Sequence, residues 1–416
     1  MPRVSASTSG GSPGGLPPDH CWPDGRSTKR RLHAISRWLL SAGTLTLLAS
    51  AATAATLVVG PPGTGPTFAQ VLREARDGDT IAVLPGEYRG DVAAILQRRL
   101  TIRGIGARPV FAAAGQHAEG KAIRVVRDGD IHIENIEFRG ARVPARNGAG
   151  IRFERGRLHL LRCAFIDNEN GVLTGNHGNA ETDIEDSEFA QTPPQRDSLP
   201  HLLYIGSIAR ASVTGSRFHQ GFEGHLIKSR AAQTRIAYDL IVDGAGGRTS
   251  YEVELPNGGL ATLIGNVIGQ SATTENPTLV SYGAEGDPWP RSALVMAHNT
   301  LLSDRVGSDP LLRVWSERLP PATPVLADNN LLLGAGLLAP GAAGRFEGNR
   351  MAAQSMLFDP GGLAFGLPAD SPLRGTGVDP RDIGGHDLAP RAELKLPIGT
   401  QPLASLERWS PGAFQR

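Results

Sequence analysis

The chain has 416 residues, of which 40% are hydrophobic and only 5% aromatic, with 52 glycines and 31 prolines. Basic and acidic residues nearly balance, at a formal net charge of +1, which excludes a strong overall bias toward nucleic acid or anionic membranes. The length allows a large core, and the glycine and proline content favours short strands and tight turns over long helices.

The amino-terminal region reads as a targeting segment. Residues 1–28 are rich in Gly, Pro and Ser and predict a disordered leader. Residues 29–54 combine a basic start, a short apolar run and small residues at the expected cleavage point, which predicts a signal peptide and a secreted or periplasmic protein. The apolar run is shorter than the ~20 residues of a membrane span, so we expect no stable membrane insertion after cleavage. The mature chain then keeps a single cysteine, Cys163, and forms no internal disulfide.

A short helix should precede the main fold. Residues 67–76 place Phe68, Val71 and Leu72 on one side of a helical pattern, and two strand-like runs, 80–84 and 100–103, follow. An amphipathic helix at this position would cap the open end of a repeating structure, where unpaired strand edges invite aggregation.

The chain then repeats one short plan of alternating apolar residues, a polar or small pair and an aliphatic or aromatic anchor. The repeats span residues 131–138, 158–165, 182–189, 211–218, 234–241, 261–268, 293–302 and 324–333. Similarity at a nearly fixed spacing is typical of a solenoid. Both halves of each unit are β-patterned with Gly, Asn and Asp at the corners, which favours a coil of short strands. We expect Asn266, Asn299 and Asn330 to stack as a hydrogen-bonded ladder at one corner; the alternative is that asparagine is simply a good turn residue.

These repeats resemble the right-handed parallel β-helix proteins of the pectin-lyase-like superfamily. The segments DGDTIAVLPGEY (77–88) and DSPLRGTGVDPRDIGG (370–385) resemble the start and the end of such helices. The resemblance implies an all-β, single-stranded right-handed parallel β-helix over residues 55–390 with an N-terminal capping helix. We expect a loosely packed tail over residues 391–416. Because this fold hosts lyases, hydrolases, epimerases and non-catalytic adhesins, it leaves the function open.

Charge concentrates on two strand-like runs, 225–230 and 251–255. If the apolar residues at their centres face inward, alternation sends Lys228 and Arg230 outward from the first run and Glu252 and Glu254 outward from the second. Aligning the repeats predicts three outward columns on neighbouring rungs. They consist of Tyr204, Lys228, Glu254 and Ser281; of Leu202, Leu226, Glu252 and Leu279; and of Gly206, Arg230, Pro256 and Gly283.

Lys228 is the first candidate for catalysis, because it is one of only four lysines in the chain. A lysine can lose its proton when partly desolvated, as a general base must, whereas a guanidinium cannot. The alternative is structural: Glu254 on the next rung would pair with the ammonium, and a nearby carboxylate makes a lysine a poorer base.

The run Ile227-Lys228-Ser229 resembles the Asn-Lys-Ser segment of the alginate lyase and chondroitinase B type of β-helix. The resemblance implies that Lys228 removes the C5 proton of a uronic acid, with Glu223 as the acidic residue before it. The family's arginine would fall between residues 248 and 254. The chain departs from the family there, since Glu254-Leu255-Pro256-Asn257 replaces an Arg-His-Gly run, so the arginine role falls to Arg248 or Arg230.

A β-elimination lyase needs a carboxylate neutraliser, a base and an acid. We expect Arg230, or a calcium ion held by Glu223, Glu252 and Glu254, as the neutraliser, and no other cofactor. Lys228 is the proposed base. The acid candidates are Tyr251, His225 and Arg248, and Tyr204, Glu254, Asn257 and Tyr282 are the candidate substrate-binding residues.

Other functions remain open at this point. Glu252 and Glu254 resemble the carboxylate pair of an inverting glycosidase, ~7 Å apart on one face. A C5 epimerase would use nearly the same base and neutraliser as a lyase. In a non-catalytic glycan binder or adhesin the charges would form a solvated ladder, and Tyr282, Trp289 and Trp315 would stack on sugars. The expected partner is an acidic polysaccharide, bound by a monomer.

Overall fold

A computed structural model describes residues 54–61, 63–195, 198–357, 359, 361–380 and 388–415. The predicted leader, 1–28, and all of the predicted signal peptide except Ala54 lie outside this range. Within the described part of the chain, no helix is both long enough and apolar enough to cross a membrane.

Three parallel sheets run the length of a coil in which each full turn adds one strand to each sheet. In the described residues, sheet A consists of β1 (Thr56–Val59), β2 (Thr80–Val83), β5 (Arg99–Gly104), β8 (Asp130–Glu134), β11 (Arg157–Leu161), β14 (Glu181–Glu185), β17 (Arg210–Thr214), β20 (Gln233–Ala237), β23 (Leu260–Ile264), β26 (Ala293–Ala297) and β29 (Val325–Asp328). Sheet B consists of β3 (Glu87–Arg89), β6 (Val110–Ala112), β9 (Glu137–Arg139), β12 (Ala164–Ile166), β15 (Glu188–Ala190), β18 (Arg217–His219), β21 (Leu240–Val242), β24 (Val267–Gln270), β27 (Thr300–Ser303), β30 (Leu331–Leu333) and β31 (Arg350–Ala352). Sheet C consists of β4 (Ala93–Ile95), β7 (Ala122–Val126), β10 (Ala149–Phe153), β13 (Asn170–Thr174), β16 (His201–Ile205), β19 (His225–Ser229), β22 (Tyr251–Leu255), β25 (Val280–Tyr282) and β28 (Leu312–Val314). The all-β parallel coil predicted from the repeats is confirmed.

The interior is held together by columns of like residues. Phe138, Phe165, Phe189 and Phe218 stack along sheet B, with neighbouring ring centres 4.7 to 5.4 Å apart. These are the anchor positions of the sequence repeat. Stacked aromatic pairs add ~0.5–1.5 kcal/mol each beyond the area they bury, so the column fixes the register between turns.

The predicted asparagine ladder is present. The amide of Asn266 donates to the side-chain oxygen of Asn299 over 2.9 Å, and that of Asn299 donates to Asn330 over 3.0 Å. Each amide also donates to a backbone carbonyl, such as Leu263 O for Asn299. All three are fully buried, so the ladder satisfies polar groups at a corner that water does not reach.

Helix α1 (Phe68–Glu74) confirms the predicted amphipathic helix. Thr67 caps it, accepting from the Gln70 amide, while the Gln70 side chain accepts from Thr67. Phe68, Val71 and Leu72 are buried in the core of the coil. Short 3₁₀ helices occur at Ser316–Arg318 and Gln354–Met356.

The carboxyl-terminal segment differs from the loose tail expected after residue 390. It forms a hairpin of β32 (Ala392–Leu394) and β33 (Thr400–Pro402). Leu388, Leu394 and Ala413 are buried against apolar side chains on the outside of the coil, including Tyr238 and Leu331. These apolar residues lack the periodicity of a helix or strand, so the sequence alone does not indicate that the segment packs. It packs because they fit an apolar face on the outside of the coil. The strands of the coil end at Ala352.

Candidate functional site

The charged column lies on the outer face of sheet C. The register pairs Tyr204 with Lys228, Lys228 with Glu254, and Glu254 with Ser281 on successive strands, as the aligned repeats predict. Ile227 of β19 and its partner in β22 belong to the core. The side chains of this column therefore project from a sheet, which positions them more precisely than a loop would.

The second predicted column, which contains Glu252, does not face outward, contrary to the prediction. Leu226 and Glu252 are fully buried. In the same column, a Cβ atom placed on Gly171 would point at the buried ring of Phe189. This column therefore faces the interior. Alternation fails because the strands of sheet C begin at a bend, where two successive residues face inward. Both Glu252 carboxylate oxygens lack a hydrogen-bond partner, and burial, with repulsion from Asp243, raises its pKa well above the ordinary value.

Tyr282 is not a substrate-binding residue in this structure. It is fully buried in the core, and its hydroxyl donates to the Gly259 carbonyl over 2.7 Å. It pairs with Leu255, an inward position, whereas Ser281, one residue earlier, pairs with Glu254 and belongs to the column of Lys228.

Lys228 is held between two carboxylates. Its Nζ atom lies 2.7 Å from Glu254 Oε2 and 2.6 Å from Glu285 Oε1, and its side chain is only 9% exposed. The predicted pairing of Lys228 with Glu254 is thus observed, and a second partner joins it.

Arg230 completes the cluster at the end of β19. Its Nε atom donates to the Tyr204 hydroxyl over 2.9 Å and its Nη1 atom to Asn257 Oδ1 over 2.7 Å. Its Nη2 atom forms an ion pair with the second oxygen of Glu285. Tyr204, Lys228, Arg230, Glu254 and Asn257, all predicted as site residues, therefore meet in one place, which we call the Lys228 cluster together with Glu285.

Glu285 was missed by the sequence reasoning. It lies between β25 and β26, in residues 283–292, which interrupt the repeat and carry no period. From the sequence, the motif Asp287-Pro288-Trp289-Pro290 predicts only a loop that leaves the coil and forms the wall of a groove. The extra length of the loop between two repeats was the available signal, because such loops commonly carry functional residues.

The pKa values of the two carboxyl groups in the cluster are shifted in opposite directions. Burial raises the pKa of Glu254 above its ordinary value, and the nearby Lys228 only partly offsets this. Burial would also raise the pKa of Glu285, but hydrogen bonds from Lys228 and Arg230 outweigh it and lower the pKa. Glu254 is therefore the carboxyl that more readily holds a proton, and Glu285 the one that stays ionised.

A stack of rings lies behind Glu254. His225 packs between His201 and Tyr251, with ring centres 4.7 and 5.3 Å apart. Burial lowers the pKa of His201 to about 3 and that of His225 well below its ordinary value, so both are neutral. His225 Nε2 lies 3.5 Å from Glu254 Oε2, which places this histidine next to the cluster.

Arg248 and Glu223 lie elsewhere. Arg248 pairs with Glu223 and Glu275 at 3.6 and 3.5 Å and covers the Phe222 ring, before the start of β22 rather than at its end. With Glu252 buried inside the coil, the proposed calcium ligands do not converge. Across the described ranges, no three His, Cys, Asp or Glu side chains are grouped as a metal ion requires. These residues do not fit the calcium site proposed from the sequence.

Two tryptophans flank the cluster. Trp315 Nε1 donates to Ser281 Oγ over 3.2 Å, and Arg313 covers the indole at 3.6 Å. Trp289 Nε1 donates to the Arg230 carbonyl over 2.9 Å. Both side chains are partly exposed.

Comparison with known proteins finds no matching family model and no matching curated protein. Among solved structures, pectate lyase Pel9A is similar with a TM-score of 0.58 and 14% identity, over 87% of this chain and 96% of that chain. An alginate lyase from Paenibacillus sp. str. FPU-7 matches with a TM-score of 0.49 and 14% identity, over 72% of this chain and 99% of that chain. The likeness to Pel9A is one of fold, and with the three parallel sheets it shows that this chain is a right-handed parallel β-helix of the pectin-lyase-like fold.

Proposed function

We propose that this protein cleaves uronic-acid-containing polysaccharides by β-elimination. The observation that carries the proposal is the convergence of Lys228 and Arg230 on one carboxylate, that of Glu285, beside the Tyr204 hydroxyl. A uronate that enters there would bring its own carboxylate to the same two cations, before Lys228 passes its extra proton to Glu254. The Pel9A neighbour is itself named a pectate lyase, which agrees with this proposal.

Each step of the elimination has a residue in the Lys228 cluster. Arg230 neutralises the uronate carboxylate, which makes the C5 proton more acidic. Lys228 removes that proton, the C–H electron pair becomes the C4–C5 double bond, and the bond from C4 to the leaving oxygen breaks. The leaving oxygen takes a proton from the Tyr204 hydroxyl.

Lys228 must be neutral before it acts as a base. Glu254, with its raised pKa, is the group that accepts the ammonium proton, since it touches Nζ directly. His225, which is neutral, lies 3.5 Å from the same carboxyl oxygen.

Two of the acid candidates, Tyr251 and Arg248, lie away from the reacting groups. Tyr251 stacks on His225, and Arg248 is paired with Glu223, so neither is part of the Lys228 cluster. The Tyr204 hydroxyl is held by Arg230 and therefore takes this role in the proposal.

A glycoside hydrolase is the second candidate. Glu254 and Glu285 contact the same ammonium, so the two carboxyls are neighbours, and their pKa values are shifted in opposite directions. An acid and an ionised carboxylate ~5 Å apart are the pattern of a retaining glycosidase. Against this role, Glu254 is only 5% exposed and has a lysine against its carboxyl.

The test is ultraviolet absorbance of the unsaturated uronate that elimination leaves, measured on a panel of uronic-acid polymers. The wild-type protein should raise the absorbance on at least one polymer, and Lys228→Ala should abolish the rise. A flat trace on every polymer, with new reducing ends on one of them, would replace the lyase with the hydrolase.

A further inference from the structure

The cations of the Lys228 cluster are already occupied in this structure by a carboxylate of the protein itself. Glu285 offers one oxygen to Lys228 Nζ at 2.6 Å and the other to the Arg230 guanidinium. Lys228 is 9% exposed and Arg230 19% exposed, so a sugar acid from solvent meets Glu285 first.

Glu285 differs from Glu254 in its freedom to leave. Glu254 belongs to β22 and its side chain is 5% exposed, whereas the Glu285 side chain is 40% exposed and lies on a loop. A carboxylate on an exposed side chain is rehydrated when it leaves its ion pair, whereas a buried carboxylate is not. Of these two carboxylates, Glu285 is the one that an incoming anion displaces.

The loop backbone need not move for this to happen. The Glu285 amide donates to the Pro256 carbonyl over 3.0 Å, and Asn257 Nδ2 donates to the Gly286 carbonyl over 2.8 Å. At the far end of the loop, Trp289 Nε1 donates a hydrogen bond to the Arg230 carbonyl. With the backbone anchored on both sides of Glu285, rotation of its side chain is enough to uncover the two cations.

We propose that the Glu285 carboxylate is an internal occupant of a subsite for the carboxylate of a hexuronate, and that the substrate binds by displacing it. The identity of the ligand as a uronate rests on the proposed function. The charge requirement rests on the cluster alone, because two cations facing one carboxylate select an anion. Glu285 thereby acts as a specificity-determining residue: a neutral sugar, which cannot replace its charge, leaves the cations covered.

The experiment measures binding of D-glucuronate, with methyl glucoside as the neutral probe, by calorimetry or NMR titration. Glu285→Gln keeps the shape of the side chain but removes the competing charge. It should bind glucuronate about tenfold more tightly than the wild type, the effect of losing one partly screened charge interaction. The gain should shrink with added salt, and methyl glucoside should show none.

The matched control is Glu275→Gln, a half-exposed carboxylate paired with Arg248 outside the cluster, which should bind as the wild type does. Glu285→Ala serves as a second variant should the glutamine variant fold poorly. Equal binding of glucuronate by the wild type and both Glu285 variants, absence of binding by all three, or an equal gain for methyl glucoside would overturn the proposal. Tighter glucuronate binding with no elimination would retain the subsite and remove the lyase.

Discussion

The most informative single residue is Lys228, whose ammonium touches the carboxyls of Glu254 and Glu285. Its role as a base depends on losing a proton, which distinguishes it from a structural cation. Lys228→Arg keeps the charge and the ion pairs but offers no basic form.

We therefore expect Lys228→Arg to lower kcat on the cleaved polymer by about 10²-fold or more, since general-base catalysis contributes ~10²–10⁴-fold. Binding of the polymer should change little. Lys121→Arg is the matched control, because Lys121 pairs with Glu154 away from the cluster. Activity within a few-fold of wild type in Lys228→Arg would show that Lys228 is not the base.

The buried carboxyl of Glu252 should make the stability of the fold depend on pH. Its carboxyl is fully buried without a hydrogen-bond partner, and its pKa is raised in the folded chain from an ordinary value of 4.5. Below that value both states are neutral and no penalty exists. As pH rises toward the folded pKa, the unfolded chain ionises and the folded chain does not, so stability falls.

Glu252→Leu, which repeats the leucine found on neighbouring turns at Leu226 and Leu279, should raise the free energy of unfolding by about 2 kcal/mol at pH 7. The gain should be smaller at pH 4. Thermal melts at both pH values measure it, with the exposed Glu317→Leu as the control. A loss of stability at pH 7 would mean that Glu252 has a partner that the folded chain needs.

At the scale of elements, the asparagine ladder joins successive turns of the coil. Asn299 donates to Leu263 O and to Asn330, and accepts from the backbone and side chain of Asn266. Asn299→Ala should lower the free energy of unfolding by about 3 kcal/mol, because it leaves buried groups on both neighbours unpaired. Denaturant midpoints measure the loss.

Asn176→Ala is the control for the ladder, because this asparagine lies exposed at a turn and accepts one hydrogen bond, from Ser207. Its substitution should cost no more than about 1 kcal/mol. Equal effects at both positions would mean that asparagine serves only as a turn residue at this corner.

The sequence alone predicts the elements that repeat, but not the residues that lie outside the repeat. The coil, the ladder and the column of Tyr204, Lys228 and Glu254 follow from a period, since alternation and repeat spacing fix register. Glu252 breaks the alternation at a bend, and Glu285 lies on a loop between repeats. The leucines at the position of Glu252 on neighbouring turns, Leu226 and Leu279, were the signal that this column faces inward. Glu285 has no counterpart in the repeat, so no pattern could place it.

For the whole molecule, the carboxyl-terminal segment is part of the fold. Leu394 is buried against the outside of the coil near Leu388 and Phe365. A buried leucine costs ~2–5 kcal/mol when truncated, so Leu394→Ala should lower the free energy of unfolding by about 3 kcal/mol. A change below ~0.5 kcal/mol, typical of exposed positions, would instead support a loosely attached tail.

The central claim concerns bond breaking, and the mass of the products tests it most directly. Elimination gives a fragment whose new non-reducing end is unsaturated and lighter by one water than the corresponding hydrolysis product. We predict this lighter fragment from the wild-type protein on a uronic-acid polymer, and its loss in Lys228→Arg. Fragments that have gained a water would contradict the account and assign the chemistry to Glu254 and Glu285.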